Sequence, residues 1–197
     1  MLRRLATLSA CAVALALLSP ATAHAETRTL VDARGDVWAM DTPEAGQNTQ
    51  VPQREQGDIV RTIFRHTDRA VVIRSTFAEL NRVGFLSLMV VKLRTNTGAV
   101  HWMALWAGPT RDTNRWRGEV TRRNGVTPMK CASHRIDYDA NMAEIRIPRF
   151  CLGSPRWVQG SLAAGTVSRD STFFADNPVN DGPSVRLPEF TTRISRG

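Results

Sequence analysis

"CASHRIDYDANMAEIRIPRFC", residues 131–151, carries two of the chain's three cysteines at its two ends. Ile136 and Tyr138 fall on one side of an alternating pattern, and Ile145 and Ile147 on one side of another. Asp139, Ala140 and Asn141 separate the two runs. Alternation with period two over short runs, broken by turn residues, is the signature of a β-hairpin. Cys131 and Cys151 then stand outside its two arms, and a disulfide between them pins the open end. Zinc ligation is the rival, but two lone cysteines lack the C-x-x-C spacing of a structural zinc site. A catalytic thiol is the second rival, and such a thiol is more often unpaired.

The stretches around this hairpin extend the pattern. Residues 58–65, "DIVRTIFR", place Ile59, Arg61, Ile63 and Arg65 on one face and Val60, Thr62 and Phe64 on the other. A polar turn at His66, Thr67, Asp68 and Arg69 leads into residues 70–77, "AVVIRSTF", which complete a second hairpin. Residues 85–95, "FLSLMVVKLRT", are apolar on both faces at their centre, as a central strand of a packed sheet is. Residues 99–106, "AVHWMALW", pair back after the turn Asn96-Thr97-Gly98. Residues 108–114 read as a polar loop, 116–122 as a weaker strand, and Asn124-Gly125 as a type I′ turn. Pro128 has no amide proton and belongs at an edge. Residues 157–168 form a further strand, and the tail from Ser171 is turn-rich, with a short strand near residues 185–194. Many short strands at regular spacing predict an all-β fold: one antiparallel β-sandwich, jelly-roll or immunoglobulin-like, with one disulfide. A closed barrel is the alternative.

The first residues belong to no strand. Arg3 and Arg4 precede an apolar run over residues 5–18, and Ala23-His24-Ala25 follows Ser19-Pro20. That order is a secretory signal peptide over residues 1–25, leaving residues 26–197 as a single domain. The run is shorter than the ~20 residues a transmembrane helix needs. No second apolar run of that length follows, so the mature chain carries no transmembrane segment. Leu8-Ser9-Ala10-Cys11 offers an alternative, lipid anchoring through Cys11, but the apolar run continues past that cysteine. Cleavage after Ala25 removes Cys11 and leaves an even pair in an oxidising compartment, where disulfides persist.

Function is less legible. The chain holds no G-x-S-x-G, no H-E-x-x-H and no P-loop. His66, His101 and His134 show no ligand spacing and read as turn or surface histidines. Asp137, Asp139 and Asn141 start like an EF-hand loop, but Met142 and Pro148 stand where glycine and glutamate belong. Asp32, Asp36 and Asp41 lie close together in residues 32–41, "DARGDVWAMD". Carboxylates are hard oxygen ligands suited to calcium. Asp32 and Asp36 are therefore candidate ligands, joined by a carboxylate from another loop such as Asp176 or Asp181; the other reading is an Asx-rich turn. No cofactor beyond a structural calcium is expected.

The formal charge is +8, and arginine outnumbers lysine throughout. Arg111, Arg115, Arg117, Arg122 and Arg123, with Lys130 and Arg135, face only Asp112 and Glu119 between residues 111 and 135. A basic face of this kind attracts anionic polymers, though an ordinary solvated face has the same composition. Nothing here matches a nucleic-acid-binding module. Trp102 and Trp106, four residues apart, share one strand face at ~13 Å. Exposed, they stack on sugar rings; buried, they are core aromatics.

The layout resembles secreted β-sandwich proteins similar to DOMON domains and family 9 carbohydrate-binding modules. The residues that carry the resemblance are "DARGDV" (32–37), "GDIVRT" (57–62), "YDANMAEIRIPRFCLG" (138–153) and "FADNPVNDG" (174–182). The resemblance implies a sandwich and ligand binding. The haem ligands of some DOMON domains have no counterpart here, and no sugar-site residue carries over. The expectation is a secreted, non-enzymatic protein that binds carbohydrate or a cell-envelope polymer. The alternatives are a secreted hydrolase with an unrecognised site and an envelope-associated protein-interaction domain. N-terminal sequencing of the exported protein is expected to begin at Glu26, whereas a diacylglyceryl-modified Cys11 at the start identifies a lipoprotein.

Overall fold

The computed structural model describes residues 25–40, 48–82, 86–109, 116–122, 127–168, 170–179 and 189–197. Its strands are β1 (Glu26–Val31), β2 (Trp38–Met40), β3 (Asn48–Gln50), β4 (Ile59–His66), β5 (Ala70–Phe77), β6 (Leu86–Thr95) and β7 (Val100–Pro109). They continue with β8 (Trp116–Arg122), β9 (Ser133–Asp137), β10 (Met142–Pro148), β11 (Trp157–Val167), β12 (Phe173–Asp176) and β13 (Ile194–Ser195). One 3-10 turn, Arg149–Leu152, follows β10. The strands form two antiparallel sheets, ordered β1-β4-β5-β10-β9 and β3-β2-β12-β11-β6-β7-β8, with β13 beside β11. The two sheets pack face to face as a β-sandwich. No helix among the described residues is long and apolar enough to cross a membrane.

The core lies between the sheets because each strand sends alternate residues inward. Val71, Ile73, Phe77, Ala143, Ile145 and Ile147 face it from the smaller sheet, and Met89, Val91, Leu93, Met103, Leu105, Val158 and Leu162 from the larger. Burying a side chain of this size contributes about 1.5–3 kcal/mol. The sheets approach tightly at Gly160, where an added Cβ would sit 2.2 Å from the Phe64 ring. One polar pair joins the inner face: Thr62 and Ser75, register partners on β4 and β5, meet at 2.9 Å through their hydroxyls.

The 131–151 hairpin is as expected. β9 and β10 pair from Asp137↔Met142 to Ser133↔Arg146, and Cys131 and Cys151 are disulfide-bonded with their Cα atoms 6.4 Å apart. Strand β6 is central, flanked by β11 and β7.

Four expectations need correction. The faces of β4 are out of phase with simple alternation: a register shift between Ile59 and Arg61 makes a bulge, so Ile59 is buried on the same side as Thr62 and Phe64 while Ile63 is half-buried. A bulge inserts one residue and reverses the facing of everything before it. His66 is no turn or surface residue but the fully buried end of β4. Gly108 and Pro109 belong to β7, not to a loop; Pro109 lies at the strand's end, where β8 begins pairing through Trp116. The N-terminal residues and the tail, whose sequence shows turns or no pattern, hold strands β1, β2, β3 and β12. β2, β3 and β12 have only three or four residues each, too few to show a period.

The disulfide spans a sequence separation of 20, and in the chain-entropy account it stabilises the fold by ~3 kcal/mol. Urea unfolding of the Cys131→Ser, Cys151→Ser double variant is expected to show a loss of that size with an m-value raised by the more expanded unfolded chain; an unchanged midpoint removes the disulfide from the stability account.

Candidate metal centre

Four aspartates converge at one end of the sandwich, each placed there by a different strand boundary. Asp32 follows β1, Asp36 precedes β2, Asp58 precedes β4, and Asp176 ends β12. The cluster thus sits where the smaller sheet, through β1 and β4, meets the larger, through β2 and β12. Carboxylate oxygens of Asp32, Asp36 and Asp176 all lie within 4.8 Å of one another.

Backbone amides hold the carboxylates in place. The Ile59 amide donates to Asp176 Oδ2 at 2.6 Å, across the two sheets, and the Asn177 amide donates to Asp176 Oδ1 at 2.6 Å. The Gly35 amide donates to Asp58 Oδ2 at 2.9 Å, and the Ala33 amide to Asp32 Oδ1 at 3.0 Å. Gly35 has φ +78°, and a Cβ there would lie 2.8 Å from the Pro52 carbonyl oxygen. Only glycine lets the 32–36 segment turn tightly enough to put Asp32 and Asp36 on one side.

Two oxygens remain. Asp32 Oδ2 and Asp58 Oδ1 are buried and accept no hydrogen bond. Asp58 is 1% exposed and Asp176 is 4% exposed. Among the described residues no lysine or arginine forms a salt bridge with Asp32, Asp58 or Asp176. Burial disfavours the charged carboxylates, and their mutual repulsion adds to it. The Asp32 carboxyl is pushed up to about 8, first by burial and then by the charges of Asp176 and Asp36. Asp176 is pushed up to about 7 by burial, with its bond from Ile59 working in the opposite direction and Asp36 again raising it. Burial raises Asp58 as well.

Chemically, this is an all-oxygen donor set. Oxygens within 4.8 Å of one another are close enough to share one cation, and calcium, with its longer and more flexible shell, accepts that spacing more readily than magnesium at ~2.1 Å. Soft metals prefer nitrogen and sulfur, which the cluster lacks. The internal apolar cavity bounded by Phe77, Met89, Leu105 and Tyr138 includes none of the four aspartates. Neither does the groove along Trp106 and Arg117.

The structure therefore brings together Asp32, Asp36 and Asp176, the combination suggested by the sequence. It adds Asp58, the first residue of an apparent strand; the available signal is an acid just ahead of a β-branched run. Asp41, Asp181, Cys11, Arg111, Arg115 and Arg123 lie outside the described residues. Arg117 and Arg122 are exposed near opposite ends of β8. Trp102 and Trp106 are neither core nor fully exposed: both are half-buried on the outer face of the larger sheet. Lys92 Nζ lies 5.3 Å from the Trp102 ring centre, and Trp106 Nε1 donates to Thr121 Oγ1 at 2.9 Å. His101 is half-buried, and His134 is exposed with its ring against Gly118.

A carboxyl whose folded pKa is raised stabilises the fold fully below its unfolded pKa and loses that contribution as pH rises through the folded value. For Asp32 and Asp176 the loss runs from an ordinary 3.8 to about 7–8. Buried His66, held low by burial, works in the opposite direction, its contribution present above the ordinary 6.5 and lost as pH falls. In chelator, the melting temperature is expected to fall between pH 6.5 and 8, and Asp32→Asn to raise it at pH 8 by roughly 2–4 °C, the shift 1 kcal/mol produces in a domain of this size. A flat profile that Asp32→Asn does not alter refutes the charge-crowding account.

Comparison of the chain with protein-family models, with curated protein sequences and with solved structures finds no match.

Proposed function

We propose that the protein is an exported, non-enzymatic binding domain built around a hard divalent cation, calcium, held by Asp32, Asp36 and Asp176 with Asp58 behind them. One observation carries this reading. Carboxylate oxygens of Asp32, Asp36 and Asp176 lie within 4.8 Å of one another, the Asp58 charge adds to their repulsion, and Asp32 Oδ2 and Asp58 Oδ1 accept no hydrogen bond, a crowding that a divalent cation relieves. The cation would tie both sheets together at a point where carboxylates from both crowd one another. Export is supported by the leader-like residues 1–25 and by the Cys131–Cys151 disulfide.

A hydrolase is the second reading, because carboxyls raised to about 7 and 8 resemble a general acid and its partner. The geometry favours the cation. Both oxygens of Asp176 are taken by backbone amides, and neither the apolar cavity nor the groove includes the cluster. A binding role for carbohydrate or envelope polymer, expected from Trp102, Trp106 and the arginines, belongs to other parts of the surface.

Cation binding to carboxyls that are partly protonated must release protons. Calorimetric titration of calcium into the chelated protein at pH 7 is expected to give one site whose heat varies with the ionisation enthalpy of the buffer. Asp36→Asn should weaken that binding at least tenfold, and magnesium should bind more weakly than calcium. No binding heat and no rise in melting temperature with millimolar calcium would sink the proposal.

A further inference from the structure

Strand β8 ends the larger sheet and β9 ends the smaller, and the two come together along one side of the sandwich. They meet tightly at Gly118, where an added Cβ would lie 2.6 Å from His134 Nε2 and 3.1 Å from Ile136 Cδ1. At that pinch lies an open groove of about 720 Å3, bounded by Trp106, Pro109, Arg117, Glu119, Lys130 and His134. Ligand sites of this kind fall at ~300–1,000 Å3.

Three features of the groove narrow its occupant. Trp106 is anchored through its Nε1 bond to Thr121, so its ring is already fixed, and a ligand stacking on it orders nothing further. Arg117 and Lys130 are exposed cations without an ion-pair partner among the described residues, against the single acid Glu119. Pro109 and Lys130 bound the groove from different stretches of chain. An indole wall takes the C–H face of a pyranose ring. A guanidinium fork pairs with a planar carboxylate. A polyol phosphate supplies charge without a ring, and a neutral glucan supplies a ring without charge.

We infer that the groove between β8 and β9 binds an acidic polysaccharide of uronic-acid units, with Trp106 against a sugar ring and Arg117 and Lys130 on its carboxylates. The inference rests on the binding-domain reading above but not on its cation, since no cluster aspartate lines the groove. Glu119 and His134 stand ready to exchange hydrogen bonds with hydroxyls.

The test is titration of the exported protein, with calcium and separately with chelator, using a galacturonic-acid tetramer, its methyl ester and a ribitol-phosphate oligomer. The acidic tetramer is expected to bind in both conditions, to weaken with added salt, and to shift the indole N–H resonance of Trp106. Arg117→Ala and Lys130→Ala should each weaken it by about tenfold, while Arg65→Ala on β4, three strands from β9, leaves it unchanged. The neutral ester should bind weakly and the ribitol phosphate should leave the Trp106 resonance in place. The indole resonance keeps the test decisive even if a groove variant fails to fold. No binding of the tetramer, equal binding of the ester, or binding that shifts other residues and not Trp106 overturns the inference. Binding that requires calcium also overturns it, because the groove would then depend on the cation. Failure of calcium to bind, with tetramer binding intact, would sink only the cation reading.

Discussion

The bond from the Ile59 amide to Asp176 Oδ2 is the constraint from which the rest of this end of the molecule follows. It is a buried, charge-assisted contact between the first residue of β4 and the last of β12, one from each sheet. Because it fixes how the two sheets meet, it also fixes where the 32–36 segment can lie, between β1 on one sheet and β2 on the other. The Asp58 carboxylate, one residue before Ile59, then meets the Gly35 amide. Two amide contacts a single residue apart thus set the distances among four acids.

Packing elsewhere tolerates no looseness in that arrangement. Phe64, on the same strand as Ile59, presses on the bare backbone of Gly160, and β11, which carries Gly160, is the neighbour of β12. Phe173, in turn, covers Gly165 on β11. Arg54 lies 3.5 Å above the Phe174 ring and donates to Thr166 Oγ1 at 3.0 Å. The strand bearing Asp176 is therefore held on both faces by contacts that small residues make possible, and its carboxylate has little freedom to turn away from its neighbours.

Sequence reasoning went furthest where residues alternate over several positions and a turn intervenes. Strands β5, β6, β7, β10 and β11 have seven or more residues, enough for the period to be seen, and the cysteines marked the ends of the 131–151 hairpin. It failed where the deciding information is non-local. Nothing in "DIVRTIFR" announces a bulge at Val60, because a bulge is a relation to the partner strand. His66 looks like a turn residue beside Thr67 and Asp68, and its burial comes from Ile194, whose carbonyl meets Nδ1 at 3.1 Å across a separation of 128 residues. The aspartates show the same division. Asp32 and Asp36 are neighbours in the chain, while Asp58 meets their segment through the Gly35 amide, 23 residues away.

The sequence distance across the cluster also bears on the order in which the molecule assembles. Ile59 and Asp176 are 117 residues apart, and the hairpins between them are local and can pair on their own. Closing so long a loop costs entropy that only later contacts repay. A chain interrupted before residue 176 would keep the β4–β5, β6–β7 and β9–β10 hairpins and still have no cluster. Loop-closure entropy argues that the acids come together late, once two sheets can oppose the crowding of like charges, and contacts that form late contribute little to the transition state. An ion lodged there would act as a latch: it leaves the rate of folding alone and lengthens the lifetime of the finished protein.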